Sequence, residues 1–392
     1  MFQVTGQNRA TAVSLAALVL LTLSIMVVPL ARAQVASISV PNPPQEVAFD
    51  SANGNLYVTD YGRNGSSGVY GDTVSVISGS SNSVAATVRL GGSFGGPYGV
   101  AYDSSNNDIY VANYWDGTVS VISGATNTVV TTVNVGASPS GVGFDSSNGD
   151  LYVTNYGPGT VTVISGSTNQ VVATINIGSH TRPAGVAFDP SNGEVYISDG
   201  NAAKVSVISG STNSVVANVT VGSTPQDMAF DSANGDLYVA DSGGTTVSVL
   251  SGSTNAVVAT VSVGQGPWGV AYDSANGNVY VSLSSGMSVI SGSNNAVLQT
   301  LQDSNGPNGL AFDPTNGDIY VADASASSVS VIQGSSPSST STSSAPGTFS
   351  SSSGGGIPEF PYQLLTAVVF TTLLAIGYMV VRGRTPARAG CR

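Results

Sequence analysis

The chain's 392 residues are poor in charge: 8% are Asp, Glu, Lys or Arg, and the formal net charge is −12. Between Gln34 and Pro361 the basic residues are Arg63, Arg89, Arg182 and Lys204, set against all 22 acids; a field of that sign repels phosphate backbones and argues against nucleic acid as a partner. The only cysteine is Cys391 and the only histidine His180, which excludes an internal disulfide and leaves no ligand set for a transition-metal centre.

At the N-terminus, Arg9 precedes an apolar run from Ala10 to Leu30, and Ala31-Arg32-Ala33 stands before Gln34. That is the layout of a secretory signal over residues 1–33. An uncleaved anchor is the alternative, and under either reading the remainder is exported.

Repeats follow. "PSGVGFDSSNGDLYVTN" from Pro139 recurs as "PAGVAFDPSNGEVYISD" from Pro183 and "PQDMAFDSANGDLYVAD" from Pro225. The leading prolines are Pro44, Pro97, Pro139, Pro183, Pro225, Pro267 and Pro307, about 42 residues apart apart from a longer first step caused by an insertion. A strand-built repeat of that length is the mark of a propeller blade. In the third unit "GVGFD" predicts an inner strand a, "DLYVTN" strand b, "TVTVIS" strand c and "VVATINIG" an outer strand d. Asn-Gly between a and b and "GSTN" between c and d supply the tight turns. The fold class expected for residues 34–334 is therefore all-β, a seven-bladed β-propeller of four-stranded antiparallel blades.

The seventh unit stops after strand c, at Gly334. The segment "VASISVPNPP", Val35 to Pro44, aligns with "VTTVNVGASP" so that Val40 takes the place of Val135. The N-terminal strand is thus expected to complete the last blade and close the ring.

Residues 335–361 form a Ser/Thr/Gly/Pro-rich linker with almost nothing apolar to bury. Tyr362 to Val381 then offers an uncharged run long enough for one transmembrane helix, and residues 382–392 carry Arg382, Arg384, Arg388 and Arg392, which the positive-inside rule keeps cytoplasmic. The expected localisation is the cell surface, with the propeller extracellular and the chain held in the membrane through its C-terminal helix. "PEFP" at Pro358 to Pro361, followed by the helix and the basic cluster, resembles the C-terminal sorting signals of archaeal surface proteins handled by archaeosortases. That resemblance implies release or lipid replacement of the tail, and a plain anchor is the alternative.

"YVTN" at Tyr152 to Asn155, with "YVTD" at Tyr57, "YVAN" at Tyr110 and "YVAD" at Tyr238 and Tyr320, resembles the YVTN family of propeller repeats. The family is common in archaeal and bacterial surface proteins and is similar to NHL and lactonase-type propellers. Blade six departs from the pattern with "YVSL" and a shorter b to c loop.

Chemistry is sparse. Asp50, Asp103, Asp145, Asp189, Asp231, Asp273 and Asp313 each end a strand a and head an Asp-x-x-Asn turn, where an Asx bond explains them. The alternate positions of a calcium loop hold Ala52 and Gly54 in the first copy. Glu46, Asp227 and Asp303 are acids outside that pattern, and in lactonase-like relatives acids and amides surround a cation. No nucleophile with an adjacent base stands out, no catalytic residue is assigned and no cofactor is expected.

In a repeat protein the departures from the pattern carry the information. In the d to a and b to c loops, which share one face, they are Tyr61, Arg63, Tyr70, Phe94, Tyr98, Tyr114, Trp115, Asp116, Tyr156, His180, Arg182 and Trp268. Tyr61, Arg63, Tyr98, Trp115, Asp116, His180, Arg182 and Trp268 are the candidate binding residues, since exposed aromatics mixed with Arg and Asp suit a protein or glycan surface. The alternative is that they cap blades or plug the channel. Asn64 and Asn218 head glycosylation acceptor patterns. The function expected is a tethered, non-catalytic binding or cell-envelope structural module meeting an envelope protein or glycan, with its oligomeric state open. A cation-dependent lactonase- or lyase-like hydrolase at the channel mouth is the alternative, and a purely architectural spacer a third reading.

Overall fold

The computed structural model describes residues 34–62, 70–92, 95–178, 181–302 and 305–334. The expected signal, linker, transmembrane segment and basic tail lie outside the described residues, as do Arg63, Asn64, Phe94, His180 and Asp303. Among the described residues no helix is long and apolar enough to cross a membrane.

Those residues form seven four-stranded antiparallel sheets, the blades of a β-propeller. Blade three is representative: strand a is Pro139–Asp145, b Asp150–Asn155, c Thr160–Ser165 and d Gln170–Asn176. Each blade's strand a packs against the strands a of its two neighbours, so the blades form a closed ring. The last blade is built from both ends of this stretch. Its a, b and c strands are Pro307–Asp313, Asp318–Asp323 and Ser328–Gln333, and its outer strand is Gln34–Ser39. Ile38 pairs with Val329, and the Val40 amide donates to Ser327 O at 3.0 Å as that of Val135 does to Gly117 O at 3.1 Å. The alignment of Val40 with Val135 therefore holds in hydrogen bonds.

Each letter of the tetrapeptide on strand b has a separate task. Its tyrosine is fully buried in all seven blades: Tyr57, Tyr110, Tyr152, Tyr196, Tyr238, Tyr280 and Tyr320. In six of them the hydroxyl donates to an asparagine Oδ1 in the c to d turn of the next blade. The pairs are Tyr57 to Asn127, Tyr110 to Asn169, Tyr152 to Asn213, Tyr196 to Asn255, Tyr238 to Asn295 and, across the closed ring, Tyr320 to Asn82, at 2.5–2.8 Å. These asparagines sit at φ between 49° and 59°, the left-handed turn conformation that asparagine tolerates better than most side chains. Beside each tyrosine pin, the asparagine of the a to b turn donates to a glycine carbonyl of the same neighbouring turn, as Asn148 does to Gly210 O at 3.1 Å.

The second letter, Val or Ile, is fully buried between blades. In blades one and three the third letter bridges strands near the axis: Thr154 Oγ1 accepts the Gly141 amide at 2.7 Å and donates to Ala184 O of the next blade at 2.8 Å. The fourth letter clasps strand c. Asn155 Nδ2 donates to Thr160 and Thr162 at 3.1 and 2.9 Å, and with Asp in blades one, five and seven the polarity reverses, Ser328 and Ser330 donating to Asp323 at 3.0 and 2.6 Å. Blade six carries Leu283 there, buried in an apolar cluster.

All seven strand-a aspartates take the Asx role. Each Oδ1 accepts the backbone amide two residues on, at 2.8 or 2.9 Å. In six of the seven, the other oxygen is buried with no hydrogen-bond partner and lies close to the turn glycine of the next blade. A Cβ added to Gly124 would come within 2.7 Å of Asp50 Oδ2.

A buried hydrogen bond of this kind is worth about 1 kcal/mol net, more if its acceptor is left bare. Tyr152→Phe is therefore expected to lower the unfolding free energy by about 1–2 kcal/mol, measured by denaturant titration. Tyr280→Phe is expected to cost less, because the described residues of blade seven offer that hydroxyl no asparagine. Equal losses at the two positions would remove the pin from this account.

Candidate functional site

The face where strands a begin and strands b end carries the departures from the repeat. On blades one to three their rings form one continuous track. Tyr61 meets Tyr70 at 5.3 Å between centroids and Tyr98 at 5.2 Å. Tyr70 meets Trp115 at 5.1 Å, Tyr98 meets Tyr114 at 5.7 Å, and Tyr114 meets both Trp115 at 4.8 Å and Tyr156 at 6.3 Å. Arg182 closes the far end, its guanidinium carbon 5.3 Å from the Tyr156 ring centroid, within cation–π range.

Local sequence explains this track. The insertion between strands b and c of blade one brings Tyr61 and Tyr70 together, with the Gly71 amide bonded to the carbonyls of Tyr61 and Gly62. Gly96 lies against the Trp115 indole, where a Cβ would come within 2.4 Å. Asp116, expected as a binding residue, accepts the Gly95 amide at 3.3 Å and so helps hold this loop. Trp115 is 45% exposed, more than any of the tyrosines it touches. Burial, with Tyr70 alongside, pushes the Tyr61 hydroxyl up to about 12.

Tyr98 links the track to the channel. It lines a cavity of about 220 Å³ at the channel mouth together with Glu46, Ser140, Gln226, Asp227 and Trp268. Trp268 is thus a channel residue, set apart from the aromatic track by its place on blade six. Asn218, on the outer strand of blade four, is exposed and accepts Ser206 Oγ at 3.0 Å.

The acids Glu46 and Asp227 come together here. Five blades open strand a with Pro-x-Gly, and the glycine is needed because the next blade's backbone presses on it: a Cβ on Gly269 would come within 2.3 Å of Asn308 O. Blades one and five read Pro44-Gln45-Glu46 and Pro225-Gln226-Asp227 instead, so both acids stand at the glycine position. Asp227 accepts the Val270 amide of blade six at 2.9 Å. Burial and then the neighbouring Asp227 carboxylate raise Glu46 well above its ordinary value, and burial raises Asp227 to about 6. Both carboxyls are thus shifted toward their protonated forms by burial. The signal that would have found it in the sequence is the doubled break of Pro-x-Gly. Among the described residues no group of three or more His, Cys, Asp or Glu is placed to hold a metal ion.

With this geometry in view, the chain can be set beside known proteins. The NHL repeat family matches residues 305–332, the last blade. No curated protein sequence matches the chain. Kuenenia stuttgartiensis hydrazine synthase is similar in structure, with a TM-score of 0.63 at 15% identity over 77% of this chain and 99% of that one. The β-propeller domain of Myceliophteria thermophila Cps50 (Swd1) gives a TM-score of 0.64 at 10% identity over the same shares. At such identities the likeness is one of fold, and this is a propeller repeat protein.

Burial also raises Asp60 to about 7 and Asp273 to about 6, the Thr73 and Ser75 hydroxyls opposing the rise at Asp60. Unfolded aspartate titrates near about 3.9, so the folded ring binds these protons more tightly. Stability from this source is complete below the unfolded value and is lost as pH rises through about 6 to about 7. The melting temperature is accordingly expected to rise as pH falls from about 8 to about 5, and Asp60→Asn to flatten the upper part of that slope. Thermal unfolding followed by circular dichroism checks this, and a flat or inverted profile contradicts it.

Proposed function

We propose that the protein is a surface-tethered, non-catalytic binding module whose contact surface is the aromatic track on blades one to three. One observation carries the reading: six aromatic rings touch in sequence and end on Arg182, while among the described residues the other blades show no such run of touching rings. The pins and clasps that hold neighbouring strands recur around the ring, and the track supplies neither. Flat aromatic surfaces with a cation at one end suit a glycan or a protein of the cell envelope.

The tethering part of the proposal rests on the sequence: the secretory signal, the Ser-rich linker, the C-terminal apolar run and the Pro-Glu-Phe motif that resembles archaeal sorting signals. Strand c of blade seven runs toward the face opposite the track, so Gly334 lies away from the proposed contact surface. Glycosylation at Asn64 and Asn218 belongs to the same proposal. Propellers serve as enzymes and as scaffolds alike, so the choice rests on this surface and not on the fold.

The test is retention of cell-envelope fractions, separated into protein and glycan, on the immobilised full chain. Trp115→Ala and Tyr61→Ala are each expected to weaken retention at least about tenfold, as aromatic anchors do in binding surfaces, with an unchanged circular dichroism spectrum. Retention unaffected by both substitutions would end this reading.

A further inference from the structure

The aromatic track and the channel cavity form one site. Tyr98 belongs to both, stacking on Tyr61 and Tyr114 on one side and lining the cavity on the other. From exposed Trp115 the line runs through Tyr114 and Tyr98 to a pocket whose far wall includes Trp268. We infer that this site binds a neutral oligosaccharide end-on, its terminal sugar seated in the channel mouth between Tyr98, Trp268, Glu46 and Asp227 and the following sugars lying along Tyr114 and Trp115. The inference rests on the binding role proposed for the aromatic track.

Size and chemistry both point to a sugar. At about 30 Å³ per water, a cavity of about 220 Å³ holds roughly seven waters. Pockets that enclose drug-sized ligands run to about 300–1,000 Å³, so this one suits a single ring at the end of a chain. Among the described residues no lysine or arginine lines it, so the described lining carries no cation to hold a phosphate, sulfate or carboxylate. Glu46 and Asp227 bring two carboxyl groups to the lining, and Gln226 and Ser140 add amide and hydroxyl groups; that mixture serves the hydroxyls of a neutral sugar. Tyr98 and Trp268 supply the flat apolar walls a pyranose face requires.

The two acids also stand where folding favours glycine. Pro-x-Gly is the rule in five blades, and burying a carboxyl at that position carries a desolvation penalty. Asp227 is held by backbone amides, that of Val270 at 2.9 Å and that of Met228, contacts that a glycine at this position has no side chain to make. Acids kept at an unfavourable position inside a cavity are a mark of function.

The chain contains two tryptophans, one at each end of the proposed path, so its own fluorescence reports on both. In full-chain Trp115→Phe the sole reporter is Trp268, and in Trp268→Phe it is Trp115. The probes are linear malto- and N-acetylglucosamine oligomers of two to six sugars, and a cyclic glucose oligomer that has no chain end. Linear disaccharides are expected to change Trp268 emission, longer linear oligomers to change both reporters, and the cyclic oligomer to leave Trp268 unchanged. Asp227→Asn, which keeps an acceptor for the Val270 amide, is expected to weaken every linear probe at least about tenfold, or about 1.4 kcal/mol. If linear oligomers change Trp115 and never Trp268, end-on insertion is overturned while the aromatic face keeps its binding role. If neither reporter responds to any probe, the neutral glycan is overturned, and retention of envelope protein by the track decides the binding role separately.

Discussion

The ring depends on a buried tyrosine hydroxyl that in six of the seven blades is held against the turn of the next. The phenol cannot ionise there at ordinary pH, since burial pushes Tyr57, Tyr110, Tyr152, Tyr238 and Tyr320 up to about 12, so it remains a donor. Its acceptor is fixed in turn by a left-handed asparagine. Neighbouring sheets are thereby registered along their length as well as pressed together, which apolar packing alone does not achieve. A chain so poor in lysine, arginine and glutamate can assemble because its specificity lies in these neutral contacts.

Much of this was legible in the sequence. The seven prolines gave the number of blades, and the alignment of Val40 with Val135 gave the partner of the unfinished sheet, because a repeat makes a missing part visible. The turn role of the strand-a aspartates followed from the asparagine three residues on. That Tyr61, Tyr98 and Trp115 share a face was legible from connectivity, whereas the contacts within the track were not, since they depend on how closely Gly71 and Trp115 approach Gly95 and Gly96. Trp268 could not be separated from the track by sequence, because the separation lies in the angle between blades. Glu46 and Asp227 could be seen as unusual singly. Their meeting requires the closed ring, which sets blades one and five about a common channel.

Stability and recognition are kept apart in this molecule. The a to b and c to d turns, on one face, repeat with little change because every blade must lock the next. The d to a and b to c loops, on the other, carry no such duty except through the fourth letter of the motif, and there aromatics have gathered on blades one to three, with Trp268 on blade six. Blade six shows that even the clasp is dispensable once Leu283 fills its place with apolar contact. At the axis the two demands collide, and two glycines have given way to acids.

Closure of the last blade by the N-terminal strand also has a mechanical meaning. Ser328–Gln333, the final strand before the chain departs at Gly334, lies between Asp318–Asp323 and Gln34–Ser39 and is an interior strand of its sheet. A pull applied beyond Gly334 therefore loads two hydrogen-bonded ladders in parallel. Without the N-terminal segment the same strand would be an edge, free to peel away one bond at a time. Whatever the ring is fastened to through that end, the force reaches it at an interior strand.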